Sequence, residues 1–221
     1  MPEIKAHVII IDGESGVGKK MLGFELALTL LYNQQKTALL LSPDSPLKKT
    51  LDLRKQNFPQ LPHPNLISRE EFHTAINNYD AIIIPTTATD ELAITAETFI
   101  TLLPKNKKSI INFQKNKTYI NTLWELKKKR AASYRRSLDW VICENNLKNK
   151  NNTEPSIELT KIAKMYGFRL CPPLNNRSTY QANVNGISAQ DKVITELNNQ
   201  LTYEDICAKR EIIKLAEFIF S

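Results

Sequence analysis

Residues 7–21 read HVIIIDGESGVGKKM. An unbroken apolar, β-branched run from His7 to Ile11 enters a glycine-rich turn and leaves it on a lysine. A run without polar alternation is what a parallel strand buried on both faces requires. After the turn, MLGFELALTLLY (21–32) places apolar residues at helical spacing. Strand, tight loop and helix in that order predict a loop held against the amino end of the helix. Gly13, Gly16 and Gly18, with Lys19, fit the spacing G-x-x-x-x-G-K. Such a loop turns consecutive amide N–H groups inward, beside the partial positive charge of the helix amino terminus, and so makes a cradle for phosphate. The candidate cradle is Gly13, Glu14, Ser15, Gly16, Val17, Gly18, Lys19 and Lys20. A tight strand-to-helix turn without ligand is the plainer reading.

Lys20 breaks the pattern. Ser or Thr at that position supplies a magnesium ligand, whereas an ammonium has no lone pair and repels a cation. A carboxylate ending a neighbouring strand is also expected to hold the magnesium shell. The candidate strand, DAIIIPTT, ends instead on Pro85, and the next acid is Asp90. Magnesium is therefore a doubtful companion, and no metal ligand is assigned. The cysteines (Cys143, Cys171, Cys207) are odd in number and far apart, and the histidines (His7, His63, His73) form no ligand-spaced cluster.

Beyond the loop, TALLLS (37–42), DAIIIP (80–85), SIINF (109–113), LDWVIC (138–143) and FRLCPPL are expected as strands. REEFHTAINN (69–78), DELAITAETFITLL (90–103) and SIELTKIAKMYG (156–167) are expected as helices, the last capped by Gly167, and TLWELKKKRAASYRR (122–136) as a basic helix or a helix plus loop. Residues 43–68 should be mostly loop with one short helix. Strands alternating with helices imply an α/β, doubly wound, mainly parallel sheet flanked by helices, of P-loop NTPase type. At 221 residues, one domain over 1–221 is expected. Its last helix, about 203–220, has Ile212, Leu215, Ala216 and Ile219 on one face. Acids offset its lysines and arginine, so packing on the body is expected rather than a membrane. No signal peptide or spanning run is apparent, so a cytoplasmic protein is expected.

The net charge of +7 favours an anionic partner, nucleic acid first. Lys127, Lys128, Lys129, Arg130, Arg135 and Arg136 form the densest basic cluster and the candidate DNA contact, and Lys148 and Lys150 would extend it. A solvated helix face is the plain alternative.

The loop resembles that of the ParA/MinD group of P-loop ATPases, which carry K-G-G-x-G-K-[ST]. Within that group the chain is similar to the MipZ family of division-plane-positioning ATPases. The resemblance rests on TLWELKKKRAASYRRSLDWVICENNL, on GFRLCPPLNNRSTYQANVNGIS, and on LSPDSPLKKTLDLRKQN followed by LPHP, and covers roughly residues 5–190. It implies ATP and ADP as ligands, a nucleotide-sandwich homodimer, non-specific DNA binding, and partners of the ParB and FtsZ types. It places the switch aspartate, which orients the attacking water, on Asp44, and the adenine-contacting asparagine on Asn145. Lys19 and Asp44 are then the catalytic pair for ATP hydrolysis. The resemblance also implies departures. The lysine that crosses the dimer falls on Glu14, the metal-binding hydroxyl on Lys20, and the first acid of the switch segment on Ser42. The acid of the magnesium shell falls on Pro85, or is deleted if DAIIIP matches the family's next strand. The family's chains run longer. The expectation is a nucleotide-binding regulator of division-site placement or chromosome partitioning with weak or lost hydrolysis. The alternatives are a DNA- or protein-binding module that no longer binds nucleotide, and another P-loop enzyme such as a small kinase.

Overall fold

The structure, a computed structural model, describes residues 5–146, 154–181, 185–194 and 201–221. In chain order the elements are β1 (His7–Gly13), α1 (Lys19–Tyr32), β2 (Thr37–Leu40), α2 (Pro46–Asn57), β3 (Asn65–Ile67), α3 (Phe72–Ala75) and β4 (Ala81–Pro85). A 3₁₀ helix (Glu91–Thr95) leads into β5 (Thr98–Pro104), followed by α4 (Lys107–Lys115), α5 (Lys117–Tyr134), β6 (Asp139–Asn146) and α6 (Ile157–Tyr166). The short strands β7 (Arg169–Leu170) and β8 (Leu174–Asn175) precede α7 (Ser178–Gln181), α8 (Ala189–Ile194) and α9 (Tyr203–Phe220).

The strands form one sheet in the order β3-β2-β4-β1-β5-β6-β7, with β8 also on β6, and every pairing is parallel. The alternation of side chains along β1 explains why both faces are covered. Val8 and Ile10 point into one core with Phe113, Ile120, Leu123 and Leu159, beneath α4, α5 and α6. Ile9 and Ile11 point into the other with Phe24, Leu28, Ile212 and Leu215, beneath α1 and α9. Ile212, Leu215, Ala216 and Ile219 are all buried, and α9 lies against α1. Among the described residues no helix is long and apolar enough to cross a membrane.

Three sequence expectations give way. Residues 90–103 are not a helix. Asp90 caps only the 3₁₀ turn, accepting from the Leu92 amide at 2.9 Å, and Thr98–Pro104 is a strand between β1 and β6. The segment TFITLL is β-branched and aromatic, and it is buried throughout. SIINF is not a strand but the middle of α4, because Asn106 accepts from the Ser109 amide at 2.8 Å and starts a helix. Residues 69–78 hold only the short α3, and the expected short helix in 43–68 is the twelve-residue α2. Gly167 does end α6 in the left-handed region, at φ 66°.

Candidate nucleotide site

The loop leaves the carboxyl end of β1, in the middle of a parallel sheet, where open α/β sheets gather their ligands. Gly13 is required there by close approach. A Cβ on it would lie 2.6 Å from the Leu102 carbonyl oxygen of β5, and its φ of 146° is one that L side chains rarely adopt. Gly18, at φ 98°, is the N-cap of α1 and offers no side chain to the helix end. The first turn of α1 therefore has backbone amides and its dipole directed at the loop. Lys19 folds back over the loop, and its Nζ donates to the Gly13 carbonyl at 2.5 Å. Glu14, Ser15 and Gly16 are exposed at the tip, and Val17 is buried and anchors the loop.

Asn145, near the end of β6, reaches the loop from the neighbouring strands. Its Nδ2 donates to the Val17 carbonyl at 2.7 Å. Between them opens a cavity of about 220 Å³, lined by Gly18, Met21, Leu22, Asn145, Leu174 and Tyr180 among others. It is mostly apolar with a few polar groups, as a base-sized pocket beside a phosphate cradle would be.

The magnesium side is different. β4 lies directly beside β1, with Pro85 in register with Ile11, and β5 occupies the other flank. The end of β4 thus presents a pyrrolidine ring, packed so closely on Gly23 of α1 that a Cβ there would sit 3.0 Å from Pro85 Cγ. Lys20 is exposed in the first turn of α1. Asp44 is an exposed residue in the turn before α2, whose N-cap is Ser45. Asp90 is tied to the Thr86 hydroxyl at 2.7 Å, to the Leu92 amide and to Arg69. No group of three His, Cys, Asp or Glu residues suited to a metal occurs among the described residues.

A buried acid escaped the sequence reading. Asp12, 5% exposed, closes β1 and accepts from the Gly13 amide at 2.6 Å, the Ala88 amide at 3.0 Å and the Tyr119 hydroxyl at 3.0 Å. The chain of donors continues outward. Thr101 Oγ1 lies 3.1 Å from the Tyr119 hydroxyl and itself accepts from Trp140 Nε1 at 3.0 Å. Burial, then the Asp12 charge, pushes the Tyr119 phenol far above its usual range, so it stays a donor. The only local signal was an acid ending an apolar strand; nothing near Tyr119 in sequence marks it.

The basic cluster divides. Arg130 is 1% exposed, and its Nη1 donates to the Thr95 carbonyl at 2.8 Å, so it faces inward and is unavailable to a polyanion. The correction has a simple cause: α5 is amphipathic, and position 130 lies on the same face as Leu123. Lys127 lies over the Trp124 ring, 5.4 Å from its centroid. Lys128 and Lys129 are exposed on α5, Lys128 pairing with Glu125 at 2.9 Å. Arg135, at φ 55°, ends the helix, and Arg136 lies 3.3 Å from Glu97. Lys148 and Lys150 fall outside the described residues.

A parallel sheet clad on both faces, with a glycine-lysine loop between its central strand and the following helix, defines a P-loop NTPase-type fold of the MinD/ParA kind. Solved structures agree. MinD from Pyrococcus horikoshii OT3, a septum site-determining protein complexed with Mg-ADP, has a TM-score of 0.61 at 14% identity, covering 97% of this chain and 96% of that one. The MinD cell division protein of Aquifex aeolicus gives 0.58 at 14% identity, covering 97% of both chains. A putative plasmid partition protein of Borrelia burgdorferi B31, bound to AMPPNP, gives 0.54 at 14% identity, covering 98% of both. No curated protein sequence matches the chain. The sequence profile of the ATPase MipZ matches residues 69–219, more than half the chain, and the chain belongs to that family. The matched stretch begins after the glycine-rich loop.

Proposed function

We propose that this chain is a nucleotide-binding member of the MipZ ATPase family that regulates division-site placement or chromosome partitioning, with ATP hydrolysis weak or lost. The observation that supports the reading is a split within one region: a loop with the glycines and lysine that a phosphate needs, beside strand ends without the groups that a metal needs. Gly13 and Gly18 hold backbone conformations that other residues resist, and Lys19 is already drawn over the loop. The cavity at Asn145 and Tyr180, about 220 Å³ and mostly apolar, supports a base at that position. With ATP bound, the loop amides and Lys19 would share the phosphate charge. Lys19 must then exchange the Gly13 carbonyl for a phosphate oxygen, a charge-assisted bond in place of a neutral one. Asp44 would orient water, by resemblance to the family's switch aspartate. Magnesium does not fit these residues: Lys20 repels it, Pro85 offers it no oxygen, and Asp12 and Asp90 are committed elsewhere. No step is routed through it.

Partners follow the same reading. The relatives include a MinC:MinD cell division complex from Aquifex aeolicus, and protein partners of the ParB and FtsZ types are proposed for this chain. Lys127, Lys128, Lys129, Arg135 and Arg136 are the proposed contact to DNA. Glu14, where the family crosses its dimer with lysine, disfavours a nucleotide-driven homodimer by placing like charge near the partner's phosphates. The second reading, a binding module without nucleotide, is favoured by the same Lys19–Gly13 bond, which lets the loop satisfy itself.

Calorimetric titration of ATP and ADP into the protein and into Lys19→Ala tests the choice. Saturable binding is expected, weakened about 10- to 100-fold in the variant, as loss of a charged hydrogen bond implies. Phosphate release should be slow or absent. Absence of binding by either nucleotide in any buffer leaves the module reading.

A further inference from the structure

We propose that the loop takes a nucleoside triphosphate as its magnesium-free anion, with the Lys20 ammonium as the second counter-charge beside Lys19. The inference rests on the nucleotide-binding reading above and specifies which form of the nucleotide the site selects.

The argument is a charge count around one cradle. A triphosphate delivered as its magnesium complex brings only about half of its neutralisation with it, and the protein then needs to hold the metal as well. Here the metal-holding positions are filled by groups that cannot do so. Position 20 carries a cation rather than a hydroxyl. Pro85, opposite Ile11, has neither a carboxylate nor an N–H, and its ring is wedged against Gly23. Asp12 spends both carboxylate oxygens on Gly13, Ala88 and Tyr119. Asp90 spends both of its own on Thr86, Leu92 and Arg69. Of the remaining acids near the loop, Glu14 and Asp44 are exposed and lie on separate loops, and Glu25 is buried against the cavity and accepts from the Ala189 amide.

The same substitutions supply what a free triphosphate needs. Lys19 and Lys20 are consecutive on a helix, so their side chains diverge by about 100°. Lys19 turns back over the loop to Gly13. Lys20 therefore leaves the helix on another bearing, from the position at which the family's hydroxyl meets its metal. It is exposed, so no burial penalty opposes its charge. A flexible ammonium there provides one positive charge at the phosphates without the fixed octahedral geometry magnesium demands. Glu14 is the opposing charge exposed at the loop tip, while Asp12 and Glu25 are buried and already accept from backbone amides.

The test is an equilibrium titration of ATP into the full chain in EDTA and again in excess Mg²⁺, for the native protein, Lys20→Gln and Lys20→Arg. Lys20 is exposed, so neither variant threatens folding, and circular dichroism checks this. The expected result is that native protein binds ATP in EDTA at least as tightly as in Mg²⁺. Lys20→Gln should lose about tenfold in EDTA, the order expected for one half-screened charge pair, and Lys20→Arg should keep the affinity. Binding that appears only with Mg²⁺, or a Lys20→Gln affinity unchanged in EDTA, overturns the proposal and leaves nucleotide binding standing. Absence of ATP binding in both buffers overturns both.

Discussion

A single methyl group is enough to test how tightly the loop is held. Gly13→Ala would force a Cβ against the Leu102 carbonyl at 2.6 Å, in a backbone conformation that alanine resists. Overpacking of that kind costs about 1–3 kcal/mol, and thermal melting should show the loss even without nucleotide. At the same scale, Asp205 reports on acid stability. Burial alone would raise its pKa, but hydrogen bonds from Thr179 and Thr202, with Lys192 nearby, outweigh that and hold it down at about 2. A carboxyl depressed on folding stabilises the protein above its unfolded pKa. That stability is lost as pH falls from the usual aspartate range, near 3.9, through the folded value. Denaturant melts from pH 5 to 2 should therefore steepen below about pH 4, and Asp205→Asn should flatten that limb.

At the scale of the element, α5 is where surface chemistry and core meet. Lys128→Glu with Lys129→Glu should weaken the proposed contact to duplex DNA, and the salt slope of binding with it, while lowering the melting temperature only slightly through the lost surface pair with Glu125. Arg130→Ala should do the reverse, costing about 1–3 kcal/mol through the orphaned Thr95 carbonyl and the emptied space. Fluorescence anisotropy at several salt concentrations, beside thermal melts, separates the two. The helix also shows what local pattern can convey. Its existence and its basic face were legible because the residues that decide them are neighbours in sequence. The inward turn of Arg130 was not, because its partner belongs to a 3₁₀ turn thirty-five residues away. The same limit explains 90–103. Asp90 and Glu91 carry a true helix-start signal, but it starts only the 3₁₀ turn Glu91–Thr95. What makes Thr98–Pro104 a strand is its place between β1 and β6, a fact of the sheet and not of the segment. The loop was legible in full because its cause is local: three glycines and a lysine at fixed spacing. Asp12 and its line to Trp140 were not, since each link comes from a different element.

Across the whole molecule, one ion pair ties distant parts of the chain. Arg54 on α2 and Asp191 on α8 are fully buried and meet at 2.5 Å, with Tyr32 of α1 donating to Asp191 and Gly186 accepting from Arg54. The Asp191 carboxyl, which burial would raise, is held below its usual range by Arg54 and Tyr32. Arg54→Ala removes the guanidinium from that buried carboxylate and should cost about 3–5 kcal/mol. Arg54→Met with Asp191→Leu should cost much less, a difference that chemical denaturation would resolve. The pair also imposes an order in time. α2 follows directly on the segment that holds Asp44, yet its arginine cannot be sealed until residue 191 exists to meet it. A chain emerging from the ribosome completes β1, the loop, α1 and α2 long before that, and must carry Arg54 hydrated while the rest is made. The helix α2 is thus among the earliest parts synthesised and the latest to be locked. A nascent chain stopped short of α8 would have α2 but not the acid that seals its arginine.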